Sequence, residues 1–146
     1  MKEIDDEVLI SSVCNEQDTQ FIINQINQFN LTTSPTKQDP PSEAFNLLIR
    51  DSKGHILGGL LGKYYRFALY VNVLWICDEL RGKGYGSALL QKAEKILIEK
   101  GCKLIHLDTW DFQAPDFYKK QGFEIFGILD GFPEGTKRYF LKKELK

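Results

Sequence analysis

Cysteine, histidine and proline are scarce in this chain, and it has no long apolar run. The three cysteines (Cys14, Cys77, Cys102) are an odd number without CxxC spacing, and the two histidines (His55, His106) stand apart. That pattern argues against a disulfide framework and against a metal site, and it makes a reducing cytoplasm the expected compartment. The longest unbroken apolar stretch, residues 73–77, is far too short to span a bilayer. The first ten residues, MKEIDDEVLI, are acidic and lack the basic-then-apolar order of a secretory signal. An excess of one charge is missing too: the net charge is −1, which argues against nucleic-acid binding by bulk electrostatics. What the chain does have is 42% apolar and 12% aromatic residues over 146 positions. That is too apolar for disorder, and residues 1–146 are long enough for one domain whose core needs no staples.

The charge is unevenly placed. Residues 1–46 carry two Lys/Arg against eight Asp/Glu, residues 47–100 nine against five, and residues 101–146 eight against seven. A positive middle suits a site for a polyanionic small molecule, although a solvated face has the same composition.

Periodicity gives the order of elements. Residues 8–13 read as a first strand, and Asn15 with Asp18 as the cap of a helix over 15–28, on which Phe21, Ile22, Ile26 and Phe29 recur at helical spacing. Residues 31–42 hold three of the five prolines and read as an irregular connection, long enough to be a substrate wall. A hairpin follows, 44–50 and 56–65 about the turn DSKG, with Gly58, Gly59 and Gly62 marking a bulge or a close backbone approach. Residues 67–77 are nearly all apolar, aromatic or β-branched, the pattern of a strand buried on both faces. An amphipathic helix with Leu89, Leu90, Ala93, Ile96 and Leu97 on one face ends at Gly101, and a strand over 104–108 completes a parallel crossover. Pro115 opens a short helix closed by Gly122, and 123–129 with 138–145 form a last hairpin. The fold class is α/β with a mixed sheet, in the order β-α-ββ-β-α-β-α-ββ.

The chemistry concentrates in Leu80-Arg81-Gly82-Lys83-Gly84-Tyr85-Gly86-Ser87, between a strand and a helix. Glycines let the backbone turn with its amides exposed, and the new helix aims its orphan N–H groups and positive dipole end at the same point. Such a junction binds phosphate or pyrophosphate, with Arg81 and Lys83 adding charge and Ser87 a hydroxyl. The spacing is neither GxxxxGK[ST] nor GxGxxG after a first strand, so neither the P-loop nor the dinucleotide fingerprint fits.

Arg81-x-x-Gly84-x-Gly86 resembles the [Q/R]-x-x-G-x-[G/A] signature of the GNAT superfamily of acyl-CoA-dependent N-acyltransferases. The segment from Ala114 to Phe123 is similar to that family's A-x-x-[FL]-Y-x-x-x-G-F pattern, at the family's distance downstream. The resemblance implies a single-domain GNAT-type fold with a mostly antiparallel sheet of about six to seven strands, a parallel fourth and fifth strand, and helices on both faces. It implies that those two strands splay, and that coenzyme A is held by the backbone of Leu74, Trp75 and Ile76 and by Arg81, Gly82, Lys83, Gly84, Tyr85, Gly86 and Ser87. An N–H near Leu74 would polarise the thioester carbonyl, and Tyr118 takes the place of the general acid. Asp111 replaces a frequent Asn at the pantetheine side, and Asp78 a frequent Pro. Without that resemblance, Trp75 and Ile76 read as ordinary core residues and Tyr118 as a ring packed on the sheet.

The general base is not identifiable from sequence. His106, Asp108 and Asp111 alternate along or just beyond one strand, each with the look of a structural or exposed group. Cys77 and Cys102 lack a His partner in any recognisable pattern, which favours direct transfer over an acyl-enzyme. The implied function is an acetyl-CoA-dependent N-acetyltransferase acting on a primary amine of a small molecule or peptide in a ternary complex, with no nucleic acid, membrane or metal involved. The alternatives are a non-catalytic acyl-CoA-binding module of the same fold and a generic nucleotide-phosphate binder. Acceptor contacts are expected from the first helix, from 31–42 and from the hairpin loop 130–136, where Phe132 and Pro133 would otherwise pack on a second subunit in a homodimer.

Overall fold

The computed structural model describes residues 7–34 and 42–146, which fall into two compact units, Met1–Gln38 and Asp39–Lys146. The first contains the helix α1 (Glu16–Thr33). Its start follows the expected capping box: Asn15 Oδ1 accepts from the Asp18 amide at 2.9 Å, and Asp18 Oδ2 accepts from the Asn15 amide at 3.1 Å. The helix continues past the expected end at 28, because the residues up to Thr33 contain no breaker. Residues 8–13 do not form the expected strand. No described strand pairs with them, and Val8, Leu9, Ile10 and Val13 are exposed. A short apolar run becomes a strand only where a neighbour takes its N–H and C=O groups. The expected irregular connection lies mostly at residues 35–41, outside the described residues.

The second unit is a six-stranded mixed sheet with two helices. Its strands are β1 (Glu43–Arg50), β2 (Ile56–Tyr65), β3 (Ala68–Ile76), β4 (Leu104–Trp110), β5 (Glu124–Leu129) and β6 (Arg138–Glu144), in the order β1-β2-β3-β4-β6-β5. All neighbours are antiparallel except β3 and β4, which the helix α2 (Tyr85–Glu99) connects. The helix α3 (Pro115–Lys120) begins on Pro115 and closes on Gly122, whose φ of +94° gives the left-handed stop that the sequence predicts.

One core holds these elements together. Leu90, Ala93 and Leu97 of α2, Tyr118 of α3 and the alternate residues Ile105 and Leu107 of β4 pack with Leu60, Leu69, Val71 and Leu141. His106 and Asp108, pointing the other way from β4, are only half-buried. The expected burial of β3 on both faces does not occur: Leu69 and Val71 are buried, while Val73 and Trp75 are exposed. Register explains the change. Leu61 pairs with Val73 but Gly62 with Val71, so Asn72 is an extra residue on β3. A bulge of this kind resets the alternation, and it turns Leu74 toward the core face. Gly62 is required opposite it, since a Cβ there would lie 2.7 Å from the Tyr70 carbonyl oxygen. The sequence had marked this strand for a close approach.

Candidate active site

β3 and β4 pair only from Ala68–Leu104 to Val71–Leu107, although β3 runs on to Ile76 and β4 to Trp110. Beyond Val71 and Leu107 the two strands part. The gap is a cavity of about 220 Å³ whose lining includes Asn72, Leu74, Asp108, Thr109, Gln113 and Tyr118. It shares Leu74, Gln113, Ala114 and Tyr118 with a larger cleft of about 790 Å³ that runs along α2 and α3.

The glycine-rich segment forms one wall of that cleft. Gly82 and Gly84 have φ of +75° and +87°, and nothing lies within 4 Å of the Cβ either would carry. These glycines are present for their backbone conformation, and the space beside them is open. Gly84 is also the N-cap of α2 and offers no side-chain oxygen, so the first amides of the helix have no side-chain cap. Gly86 serves differently: a Cβ there would sit 3.0 Å from Cζ of Phe117, so its absence lets α3 pack on the first turn of α2. Gln121 Nε2 donates to Ser87 Oγ at 2.7 Å across the same junction, and Lys143 Nζ donates to the Gln121 carbonyl at 2.8 Å. The helix that carries Tyr118 is thereby fixed to the turn that carries the glycines.

Leu74, Trp75, Ile76, Arg81, Gly82, Gly84, Tyr85, Gly86, Ser87 and Tyr118 are all brought to the cleft. Trp75 is 48% exposed there, rather than a core residue. The Arg81 guanidinium is drawn back toward the strand end, with Nε donating to the Ile76 carbonyl at 2.9 Å and Nη1 3.1 Å from Asp78 Oδ1. Lys83 and Asp111 do not line the cleft. Asp111 instead closes the sheet end: its amide donates to the Lys137 carbonyl at 2.9 Å, and its Oδ2 accepts from the Lys137 amide at 3.2 Å. Phe132, in the loop expected to contact the acceptor or alternatively a second subunit, lies edge-on to Trp110.

Leu80, the first residue of the glycine-rich segment, also lines the cleft, and sequence reading missed Phe112 and Gln113, which line it too. Gln113 shapes the exit from β4, its Oε1 accepting from Thr109 Oγ1 at 2.9 Å and from the Trp110 amide at 2.8 Å. The position of Gln113 just before the Ala114 motif was the only signal for it.

Tyr118 stands where cleft and gap meet. Burial pushes its hydroxyl up to about 12, so it is neutral and protonated at physiological pH. Cys102 is buried and its thiol is likewise pushed up by burial, which keeps it a packing residue. On the far side of the gap, Asp108 Oδ2 accepts from Tyr70 Oη at 2.6 Å, and its Oδ1 accepts from Arg138 Nε at 2.9 Å and from Arg138 Nη2. His106, against the Tyr70 ring, is held below the usual imidazole range by burial, with the Asp108 charge acting in the opposite direction. Among the described residues no cluster of His, Cys, Asp and Glu could hold a metal ion, and no helix is long and apolar enough to cross a membrane.

Residues 10–123 match the model of the acetyltransferase (GNAT) family. The chain is 34% identical over 116 residues to the blasticidin-S acetyltransferase of Streptomyces morookaense, covering 79% of this chain and 85% of that protein. A crystal structure of an acetyltransferase from Bacillus cereus superimposes with a TM-score of 0.86 at 35% identity, covering 94% of this chain and 98% of the other. A Bacillus anthracis acetyltransferase solved with acetyl coenzyme A shares the fold at 20% identity and a TM-score of 0.63, over 73% of this chain and 65% of that one.

Proposed function

The chain belongs to the GNAT acetyltransferase family, and from that premise we propose that it transfers the acetyl group of acetyl-CoA to a primary amine of a small molecule or peptide, by direct attack in a ternary complex. One observation carries this reading: the parallel pair opens beside an uncapped helix start, with a buried tyrosine hydroxyl at the meeting point. The residues present fit the coenzyme. The αL turn at Gly82 and Gly84, the first amides of α2 and Ser87 suit a pyrophosphate, and Arg81 adds a cation. The groups of residues 74–76 that point into the gap have no strand partner there, and suit the amides of an extended arm. The Ile76 carbonyl is already taken by Arg81.

Bound acetyl-CoA supplies an activated acyl carbon and a thiol leaving group. The Leu74 amide would donate to the acyl oxygen, and such preorganised donors are worth a few kcal/mol in a water-poor site. Tyr118 would donate to the sulfur. With its hydroxyl near 12 and a thiol near 8.5, complete proton transfer is uphill by roughly 5 kcal/mol. Tyr118 therefore acts as a hydrogen-bond donor that stabilises the departing charge. A reducing cytoplasm suits the three free cysteines and is the compartment assigned here.

The reading is tested by calorimetric titration with acetyl-CoA beside dephospho-CoA and ATP, then by thiol release with a panel of amines. Blasticidin S belongs in that panel because a 34% identical relative is named for it. Micromolar acetyl-CoA binding and amine-dependent thiol release are expected. Tight acetyl-CoA binding without turnover on any amine would refute catalysis, and equal binding of ATP would refute the coenzyme assignment.

A further inference from the structure

The reactants need separate approaches to the gap, and the sheet provides two. The cleft lies on the face that α2 and α3 cover, the face of Ile105, Leu107 and Tyr118. Asp108 reaches the same gap from the opposite face, its side chain 15% exposed. A further cavity of about 260 Å³, lined by Lys63, Tyr65, Ala68, Tyr70, Asn72 and His106, adjoins the gap at the bulge residue Asn72, which lines both. Among the described residues, Asp108 is the only carboxylate lining any of these three spaces. It is also fixed in place. Arg138, itself over the rings of Trp110 and Phe140, holds Oδ1 with two N–H groups, and Tyr70 takes one lone pair of Oδ2. A carboxylate oxygen has two lone pairs, so Oδ2 keeps one for a further donor.

We infer that Asp108 is the group that receives the acceptor amine and takes its proton, entering from the sheet face opposite the coenzyme cleft, with Tyr70 and Arg138 as positioning residues. The inference rests on the acetyl-transfer reading and names its missing base. One N–H bond of the protonated amine breaks and its proton passes to Asp108 Oδ2. The freed pair on nitrogen forms the bond to the acyl carbon, and the C–S pair leaves on sulfur. The second nitrogen proton ends on that sulfur, and water collects the proton from Asp108. The charged and titratable groups facing Asp108 are Tyr70 from β3, Arg138 from β6, His106 from its own strand and Tyr118 from α3 across the gap.

Two small nucleophiles separate proton acceptance from a structural role. Ethylamine is protonated at neutral pH and must lose a proton before it attacks, whereas hydroxylamine is already unprotonated. With both at saturating acetyl-CoA, Asp108→Asn lowers kcat/KM for ethylamine by about 100-fold, the typical worth of a positioned base, and for hydroxylamine by less than about fivefold. Added formate restores part of the ethylamine rate to Asp108→Ala and leaves wild type unchanged. Calorimetry shows both variants binding acetyl-CoA as wild type does, which reports an intact cleft without reference to activity. Equal losses on the two nucleophiles, no loss on either, or loss of acetyl-CoA binding in both variants would overturn the assignment of Asp108. If wild type binds acetyl-CoA but acetylates neither nucleophile nor any amine of the panel, the acetyl-transfer reading fails first and this one with it.

Discussion

Gly84 and Gly54 form a matched pair that separates backbone strain from coenzyme binding. Their φ angles are +87° and +86°, and neither has an atom within 4 Å of the Cβ it would carry. Gly54 ends the turn between β1 and β2, its amide donating to the Asp51 carbonyl at 3.0 Å, and does not line the cleft. Valine at either position meets the left-handed region with a branched side chain, at a cost of about 2 kcal/mol. For a chain of this size that lowers the melting temperature by roughly 6 °C. The two variants should therefore melt within a degree or two of each other. Their affinities should differ. If the turn at Gly84 aims amides at a pyrophosphate, displacing it removes at least one hydrogen bond to a charged group, worth roughly 1.5–3 kcal/mol, or about 10- to 150-fold in Kd. Thermal melts followed by calorimetry with acetyl-CoA read both quantities. Gly84→Val should bind at least tenfold more weakly than Gly54→Val, and matching affinities would refute the cradle however the melts compare.

Other expectations follow from the same geometry. Tyr118→Phe should keep acetyl-CoA affinity within about threefold while kcat for amine transfer falls roughly 100-fold, read by thiol release; an unchanged kcat would remove Tyr118 from the chemistry. Because burial raises the Tyr118 hydroxyl to about 12 from an unfolded value of about 10, its contribution to stability is complete below pH 10 and is lost as the pH rises through 12. Wild type should therefore lose roughly 2–3 kcal/mol more stability than Tyr118→Phe over that window, measured by urea melts. Gly86→Ala leaves its Cβ 3.0 Å from the Phe117 ring, which needs a shift of a few tenths of an ångström, whereas Gly86→Val cannot be accommodated without moving α3. The first should retain most activity and the second should lose turnover and stability together, by about 1–3 kcal/mol in a melt.

Local chemistry was legible in the sequence where it is local in space. The capping box at Asn15, the full extent of β2 and the Pro115 start and Gly122 stop of α3 each depend on residues a few positions apart. The glycine-rich wall of the cleft was legible for the same reason: turn, amides and helix start occupy one short segment. Pairing was not. Residues 8–13 begin with the apolar run of a strand and find no described partner, and β3 reads as buried on both faces because nothing in its own letters marks where β4 leaves it. Asp111 and Asp108 make the point most sharply. Three positions apart and equally acidic in sequence, one ties down the backbone before β6 and the other faces the gap, a difference fixed by Lys137, Arg138 and Tyr70, all far away along the chain.

The opening between β3 and β4 also bears on how the protein exchanges hydrogen with solvent. Elsewhere in the sheet a central strand is laddered on both sides, so its amides open only with large fluctuations. From Val73 to Ile76, β3 is laddered to β2 alone, and the amides on its other side end in a cavity. Deuterium should enter at those positions within the heart of the sheet while Leu69 and Val71 stay protected. A molecule that fills the gap as a surrogate strand would slow them selectively, so occupancy of the site can be followed amide by amide with no reaction taking place.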